Sequence, residues 1–429
     1  MNHDHAGMVS RRTLLRAALY GAGAVTAASV LAACGPSTPS AANAPASGAP
    51  AGGAATAAPA VSAGGSGGTL KIGLLSGFSG PYAAFGPDMA NSIGVYLDQH
   101  NGLVGGLKVN LIQEDESATP QDALLKARKL VEQDRVNVLM GLVSSANALA
   151  VRDLLDGSKT PTIITNAGAD DLTGAKRSPF IIRVSFSSWQ QGAPSGKWAV
   201  AQGYKKVMAF APDYAAGYEQ LKGFEDAFTQ AGGTVTEKVF PPLGNSDYAP
   251  FLSKIKAGNP DAVWGFFAGA DQIKFDQQYS EFIGSNVPLI GNILSRNAAD
   301  AIGKNILVVK MGATGWEESL DNPLNQAYVA DFAKKANKHN DYGQYTYDGV
   351  MLLDKVLTEL KGDTNPDKLA QALNNVSSFQ SIRGEVRIDP ESHGLIQTYY
   401  QTAPVADGDQ VKVKVVGPLG VFGPSKQIS

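Results

Sequence analysis

The stretch Leu70-Lys71-Ile72-Gly73-Leu74-Leu75 is a short apolar run, the chain over 87–101 has helical spacing, and a second apolar run over 107–112 ends at Glu114-Asp115. A strand, a crossover helix and a second strand predict a parallel pair. Working outward, the same pattern recurs. Thr119-Pro120 supplies an N-cap and a proline at the first helical position, and the helix behind it puts Ala123, Ala127, Leu130 and Val131 on one face. Runs over 136–140, 162–165 and 180–184 read as further strands. After Gly203 the pattern restarts, with strands over 206–210, 234–240 and 261–267 and helices over 218–231 and 248–257. Alternation of this kind predicts an α/β fold with parallel sheets. A folded part of roughly 360 residues predicts two doubly wound lobes rather than one.

The chain ahead of Leu70 reads differently. Ser10-Arg11-Arg12-Thr13-Leu14-Leu15 precedes an uncharged run over 17–33 that ends in Leu31-Ala32-Ala33-Cys34. Seventeen uncharged, mostly apolar residues fit a signal-peptide core better than a membrane span. The ending resembles a bacterial lipobox, in which Cys34 is lipidated, and the arginine pair resembles a twin-arginine export signal. From Gly35 to Gly68, 32 of 34 residues are Ala, Gly, Pro, Ser or Thr and none is charged. Such a segment cannot bury enough apolar surface to offset its ordering entropy, so it reads as a tether. Gly64-Gly65-Ser66-Gly67-Gly68 within it matches the nucleophile-elbow pattern, but no strand precedes it and no helix follows.

Composition excludes several functions. Lys+Arg is 36 against 39 Asp+Glu, a formal charge of −3, without the basic excess of a nucleic-acid binder. Cys34 is the sole cysteine, so neither an internal disulfide nor a thiolate metal site can form. The five histidines, at 3, 5, 100, 339 and 393, lack metal-ligand spacing, so no metal and no cofactor is expected. Of these, His100, His339 and His393 lie in the folded part, each isolated, which disfavours a hydrolase; no catalytic residue is expected.

One internal echo supports two equivalent lobes. Pro81-Tyr82-Ala83-Ala84-Phe85-Gly86 follows the first strand and Asp213-Tyr214-Ala215-Ala216-Gly217 follows the restart strand. Ligands of open α/β sheets sit at that carboxyl edge, so two facing lobes would bring both loops to one cleft.

Further motifs occur in order along the chain: Ser79-Gly80-Pro81 with Gly86, Asn101-Gly102-Leu103-Val104-Gly105-Gly106, Glu114-Asp115, and Gly141 with Ser144-Ser145. They are followed by Asn166-Ala167-Gly168-Ala169-Asp170-Asp171-Leu172-Thr173, then Arg183 with Ser185-Phe186-Ser187-Ser188-Trp189-Gln190. With these motifs the chain from about Leu70 to Val416 resembles the periplasmic solute-binding proteins of branched-chain-amino-acid-type ABC importers, the leucine-binding-protein-like family. The last two motifs resemble a subgroup linked to aromatic-acid uptake. The resemblance implies the type I periplasmic-binding-protein fold with a hinged central cleft. It implies a leader over 1–33, the lipidated Cys34 and tether over 34–68, one lobe from 69–187 and 316–394, and the other from 188–315 and 395–429. Crossovers are expected near Ser187-Ser188, Gly315-Trp316 and after Gly394.

The implied partners are a small carboxylate-bearing solute, the permease and ATPase subunits of an importer, and a membrane reached through the lipid anchor; a monomer is expected. The turn after the strand over 136–140 opens a helix, whose N-terminus offers unpaired N–H groups to an anion. The family places a ligand carboxylate between that turn and the loop matching 167–169, which makes Ser145, Ser144, Ala167 and Ala169 ligand-binding candidates. Phe85, Tyr82, Trp189, Tyr214, Phe186 and Tyr345 are candidate cleft walls, with Trp316 further on. Where the family's amino-acid binders carry an acid for the ligand's ammonium, this chain has Asn292-Ile293-Leu294. The ligand is therefore expected to lack an α-amino group unless Asp213 or Asp271 substitutes, which favours an aromatic carboxylate over a branched-chain amino acid. A ligand-sensing receptor ectodomain remains an alternative.

Overall fold

The computed structural model describes residues 68–291 and 294–425. The leader, Cys34, the tether and Ile293 lie outside the described residues. Elements of the first part are β1 (Thr69–Ser76), α1 (Phe85–Gln99), β2 (Leu103–Val104), β3 (Leu107–Asp115), α2 (Pro120–Arg128), β4 (Val138–Gly141), α3 (Ser145–Gly157), β5 (Thr162–Ile164) and β6 (Ile181–Arg183). They form a six-stranded sheet of order β2-β3-β1-β4-β5-β6, parallel except for the antiparallel β2. Period-two alternation serves both faces. Leu70, Ile72 and Leu74 point to one core and Leu75 to the other, and Val138 and Met140 oppose Leu139 in the same way.

The second part begins with α4 (Ser188–Gly192) and α5 (Pro194–Ala201). It continues with β7 (Lys206–Phe210), α6 (Ala215–Gln230), β8 (Thr234–Val239), α7 (Ala249–Gly258), β9 (Ala262–Gly265), α8 (Ala270–Phe282), β10 (Leu289–Gly291), α9 (Arg296–Ile302) and β11 (Val309–Thr314). The chain then returns to the first sheet with α10 (Pro323–Ala336), α11 (Gln344–Glu359) and α12 (Pro366–Asn374). Met89 and Ile93 of α1, Tyr328 and Phe332 of α10, and Leu353 of α11 bury against Leu70 and Ile72. Four antiparallel strands close the chain: β12 (Ser378–Ser381), β13 (Gly384–Ile388), β14 (Leu395–Asp407) and β15 (Gln410–Phe422). The second sheet runs β12-β13-β14-β11-β10-β9-β7-β8, with β15 on β14.

The two sheets, each flanked by helices and joined by repeated chain passages, give the expected type I architecture. Passages occur between Arg183 and Ser188 and between Thr314 and Pro323. The third is the antiparallel ribbon, where Phe379, Val386 and Ile388 bury in the first core although their strands hydrogen-bond through β14 into the second sheet. The expected boundary at 394 therefore falls inside a shared ribbon. A side chain can choose one core while its backbone extends the other sheet.

Candidate functional site

The turn from β4 into α3 is tightly held. Gly141 has φ 114°, and a Cβ there would run into the Leu75 carbonyl oxygen. Leu142, buried and bulky, adopts φ 62°, an unfavourable left-handed conformation. Two backbone bonds fix it: Leu142 N donates to Leu75 O at 2.7 Å and Ala167 N donates to Leu142 O at 2.8 Å. Ser144 caps α3 by accepting from Asn147 N, and Ser145 begins the helix with its side chain on the cavity. The Ser145 hydroxyl accepts from Ala169 N at 3.1 Å, which leaves its own proton to donate.

The cavity between the two sheets holds about 110 Å³ and is lined from both lobes. That is the size class of a single-ring ligand, since a cavity of roughly 150 Å³ accommodates benzene. Aromatic side chains dominate its walls. On the first lobe Phe85 stacks on Tyr342 at 3.8 Å between centroids and meets the edge of Tyr82 at 5.5 Å. On the same lobe Phe186 packs edge-on against Tyr345 at 5.5 Å, and on the other Tyr214 stacks with Phe266 at 6.4 Å. No His, Cys or Lys lines the cavity, and Arg296 is its only basic lining residue among the described residues. Glu317, Glu318 and Asp341 are its carboxylates.

Polar contacts cross the cavity from lobe to lobe. Tyr82 and Tyr214 both line the cavity and lie within each other's electrostatic reach, so the two Tyr-Ala-Ala loops come to one cleft. Asp341 accepts from Arg296 N at 3.2 Å and Asn297 N at 2.9 Å. Burial pushes the Asp341 carboxyl up to about 6, the backbone N–H bonds opposing and Asp88 reinforcing the shift. Glu219 on α6 accepts from Asp170 N at 3.2 Å, and burial with nearby Asp170 pushes it up to about 7. The Arg296 guanidinium donates to Asp300 at 3.1 Å and stands 3.5 Å from Glu318. Arg183, fully buried, holds the 169–173 loop by donating to Ala169 O at 2.7 Å and to Thr173.

Of the residues the sequence singled out, Ser145, Tyr82, Phe85, Phe186, Tyr214 and Tyr345 line the cavity, as does Trp316. Four do not. Ala167 and Ala169 are wholly buried in the α2/α3 core, while Asn166 and Gly168 face the cavity, a difference of one residue in an extended loop. Ser144 is spent on its cap. Trp189 turns outward on α4, donating to Asp226 at 3.0 Å and packing near Tyr399 and Phe422. Neither suggested acid reaches the cavity lining. Asp213 is exposed and accepts from the Tyr218 hydroxyl, and Asp271 accepts from Gly244 N at 2.8 Å. The acids that do line it come from loops far along the chain and Arg296 from the start of α9, and none of them carried a sequence signal.

The family model for periplasmic binding proteins matches residues 69–409. The chain belongs to the periplasmic binding protein family. It is a solute-binding protein rather than an enzyme, and as a member of that family it is exported and extracytoplasmic. Among the described residues no helix is long and apolar enough to cross a membrane. This binding protein is 29% identical over 350 residues to Leu/Ile/Val-binding protein homolog 6 of Brucella melitensis, covering 79% of this chain and 89% of the relative. Among solved structures it resembles an ABC-transporter solute-binding protein of R. palustris in complex with benzoate (28% identity, TM-score 0.76, 82% of this chain and 96% of that one). It also resembles one from Rhodopseudomonas palustris BisB5 in complex with 3,4-dihydroxy benzoic acid (29% identity, TM-score 0.77, 84% and 98%).

Proposed function

We propose that this binding protein captures a small aromatic carboxylate and delivers it to the permease and ATPase subunits of an ABC importer while anchored to the membrane through Cys34. The observation that carries the ligand reading is the cavity wall, aromatic on both lobes, with the Ser145 donor and Arg296 in its lining. Offset or edge-on ring contacts add about 0.5–1.5 kcal/mol each beyond area burial, a gain open to a planar ring and not to leucine. The two solved relatives that hold benzoic acids support the same choice.

A second reading is a branched-chain amino acid. Glu317, Glu318 and Asp341 favour it, because a cavity with three carboxylates and one guanidinium can pair an ammonium. A thermal-shift panel separates the two. At about a hundred times Kd, benzoate or 4-hydroxybenzoate should stabilise the protein by roughly 2.7 kcal/mol, with leucine, isoleucine and valine inert. Stabilisation by the amino acids alone refutes the aromatic reading and selects the second. For the anchor, the lipobox-like ending at Cys34 predicts that Cys34→Ala moves the protein from the membrane fraction to the soluble one, or leaves it unprocessed. Unchanged processing and membrane retention would refute it.

A further inference from the structure

Glu116 follows β3 and has no exposed surface. Its two carboxylate oxygens accept from Val143 N at 3.1 Å and Ser144 N at 2.9 Å, the amides that lead into α3. Those amides belong to the helix N-terminus that presents Ser145 to the cavity, so Glu116 plugs from behind the positive end that a ligand anion would use from the front.

The groups around Glu116 offer no counter-charge. Asp115 on the same strand repels it, and its own carboxylate is held by Phe78 N and Ser117 N, each at 3.0 Å. From α3, Asn147 reaches it with an uncharged amide, which also donates to the Glu116 backbone oxygen at 3.4 Å. From the loop after β1, the neutral Tyr82 hydroxyl lies within its field. Among the described residues no Lys, Arg or His forms an ion pair with it. Burial pushes the Glu116 carboxyl up to about 8, against the opposing pull of the two N–H bonds.

We propose that Glu116 is a positioning residue that couples ligand capture to a proton: a ligand carboxylate at Ser145 and an ionised Glu116 compete for one helix N-terminus, so the loaded site keeps Glu116 protonated. The proton comes from solvent to a Glu116 oxygen, and no bond to the ligand forms or breaks. The inference rests on the carboxylate reading of the cavity. An anion nearby raises the Glu116 carboxyl further, so the ligand-bound form holds the proton to higher pH than the free form. Between about pH 8 and 9, where the Asp341 and Glu219 carboxyls are already ionised, affinity should therefore weaken as Glu116 loses its proton, approaching tenfold per pH unit.

The test is titration calorimetry of the full chain with benzoate, and with L-leucine as a second probe, from about pH 6 to 9 in buffers of differing ionisation enthalpy. The expected result is uptake of up to about one proton per ligand near pH 8–9 and a Kd that rises in that range. Glu116→Gln should lose the proton uptake and the pH slope that the wild-type protein shows near pH 8–9. Absence of proton uptake by the wild-type protein near that pH overturns the inference without needing the variant, and so does an equal slope in Glu116→Gln. If neither carboxylate binds at any pH, the carboxylate reading falls and the inference falls with it, a result distinct from pH-independent binding.

Discussion

Asp348→Ala is expected to lower the unfolding free energy by about 3–5 kcal/mol, the cost of leaving a buried charge uncompensated. Asp348 on α11 and Arg383 between β12 and β13 are almost wholly buried, and Arg383 Nε donates to Asp348 Oδ2 at 2.8 Å. The same oxygen accepts from the Ser381 hydroxyl at 2.7 Å, and the other accepts from Ile382 N at 3.3 Å. Arg383 also donates to Val184 O at 2.9 Å and to Gln397, and its guanidinium lies 4.7 Å over the Tyr345 ring. Gln397 in turn donates to Ser185 O at 2.9 Å. This knot ties the passage after β6 to the ribbon β12–β14 and ends on a cavity wall. Removing the carboxylate strands a guanidinium that water cannot reach. The double variant Asp348→Leu with Arg383→Met should recover much of the loss, since apolar replacement of a buried pair is often near neutral. Denaturant unfolding of the wild-type protein and both variants measures it. A single variant within about 1 kcal/mol of wild type would mean that the site collapses or hydrates instead.

The knot shows why the sequence told some things and hid others. The βα units from Thr69 to Phe267 were legible because each strand is an apolar run with helical spacing behind it. Helix starts were less so: α6 begins at Ala215, three residues before the apolar pattern predicts, because Ala215 to Gly217 are small residues without a periodic signal. The closing ribbon was not read at all. Yet β15 alternates buried Val411 and Val413 with outward Lys412 and Lys414, a period-two pattern that a single sequence does carry. What no local pattern carries is the joining of that ribbon to one sheet and one core at once.

The cavity follows the same division. Its aromatic loops after β1 and β7 were legible because the carboxyl ends of parallel strands are where ligands sit. Within those loops the facing residue was not, as Asn166 and Gly168 against Ala167 and Ala169 illustrate. Trp189 failed for a related reason: no helix was read around it, and its place around the α4 axis depends on α6, which packs against α4. Arg296, Glu318 and Asp341 meet only because α9, the passage after β11 and the loop before α11 converge from different parts of the chain. Their arrival also weakens the argument from a missing acid, which considered only the stretch around Ile293, Asp213 and Asp271.

Ser145→Ala is expected to weaken benzoate binding by about 10- to 100-fold, because a hydrogen bond to a charged partner contributes about 1.5–3 kcal/mol. Ser145 is 2% exposed, so the little of it that is open faces the cavity. Its oxygen is committed to Ala169 N, and that bond orients the hydroxyl so that only its proton remains for a ligand. The alanine variant therefore loses two things: the donor to the ligand and the acceptor that holds the 167–169 loop beside it. The neighbouring Ser144→Ala supplies the control. Ser144 caps α3 but does not line the cavity, so its loss should cost about 0.5–2 kcal/mol of stability and leave Kd nearly unchanged. Titration calorimetry with benzoate reads affinity, and thermal unfolding without ligand reads the cap. If Ser144→Ala weakens binding as strongly as Ser145→Ala, the effect comes from the helix N-terminus as a whole. If neither does, the ligand's carboxylate sits elsewhere in the cavity, where Arg296 is the cation that could receive it.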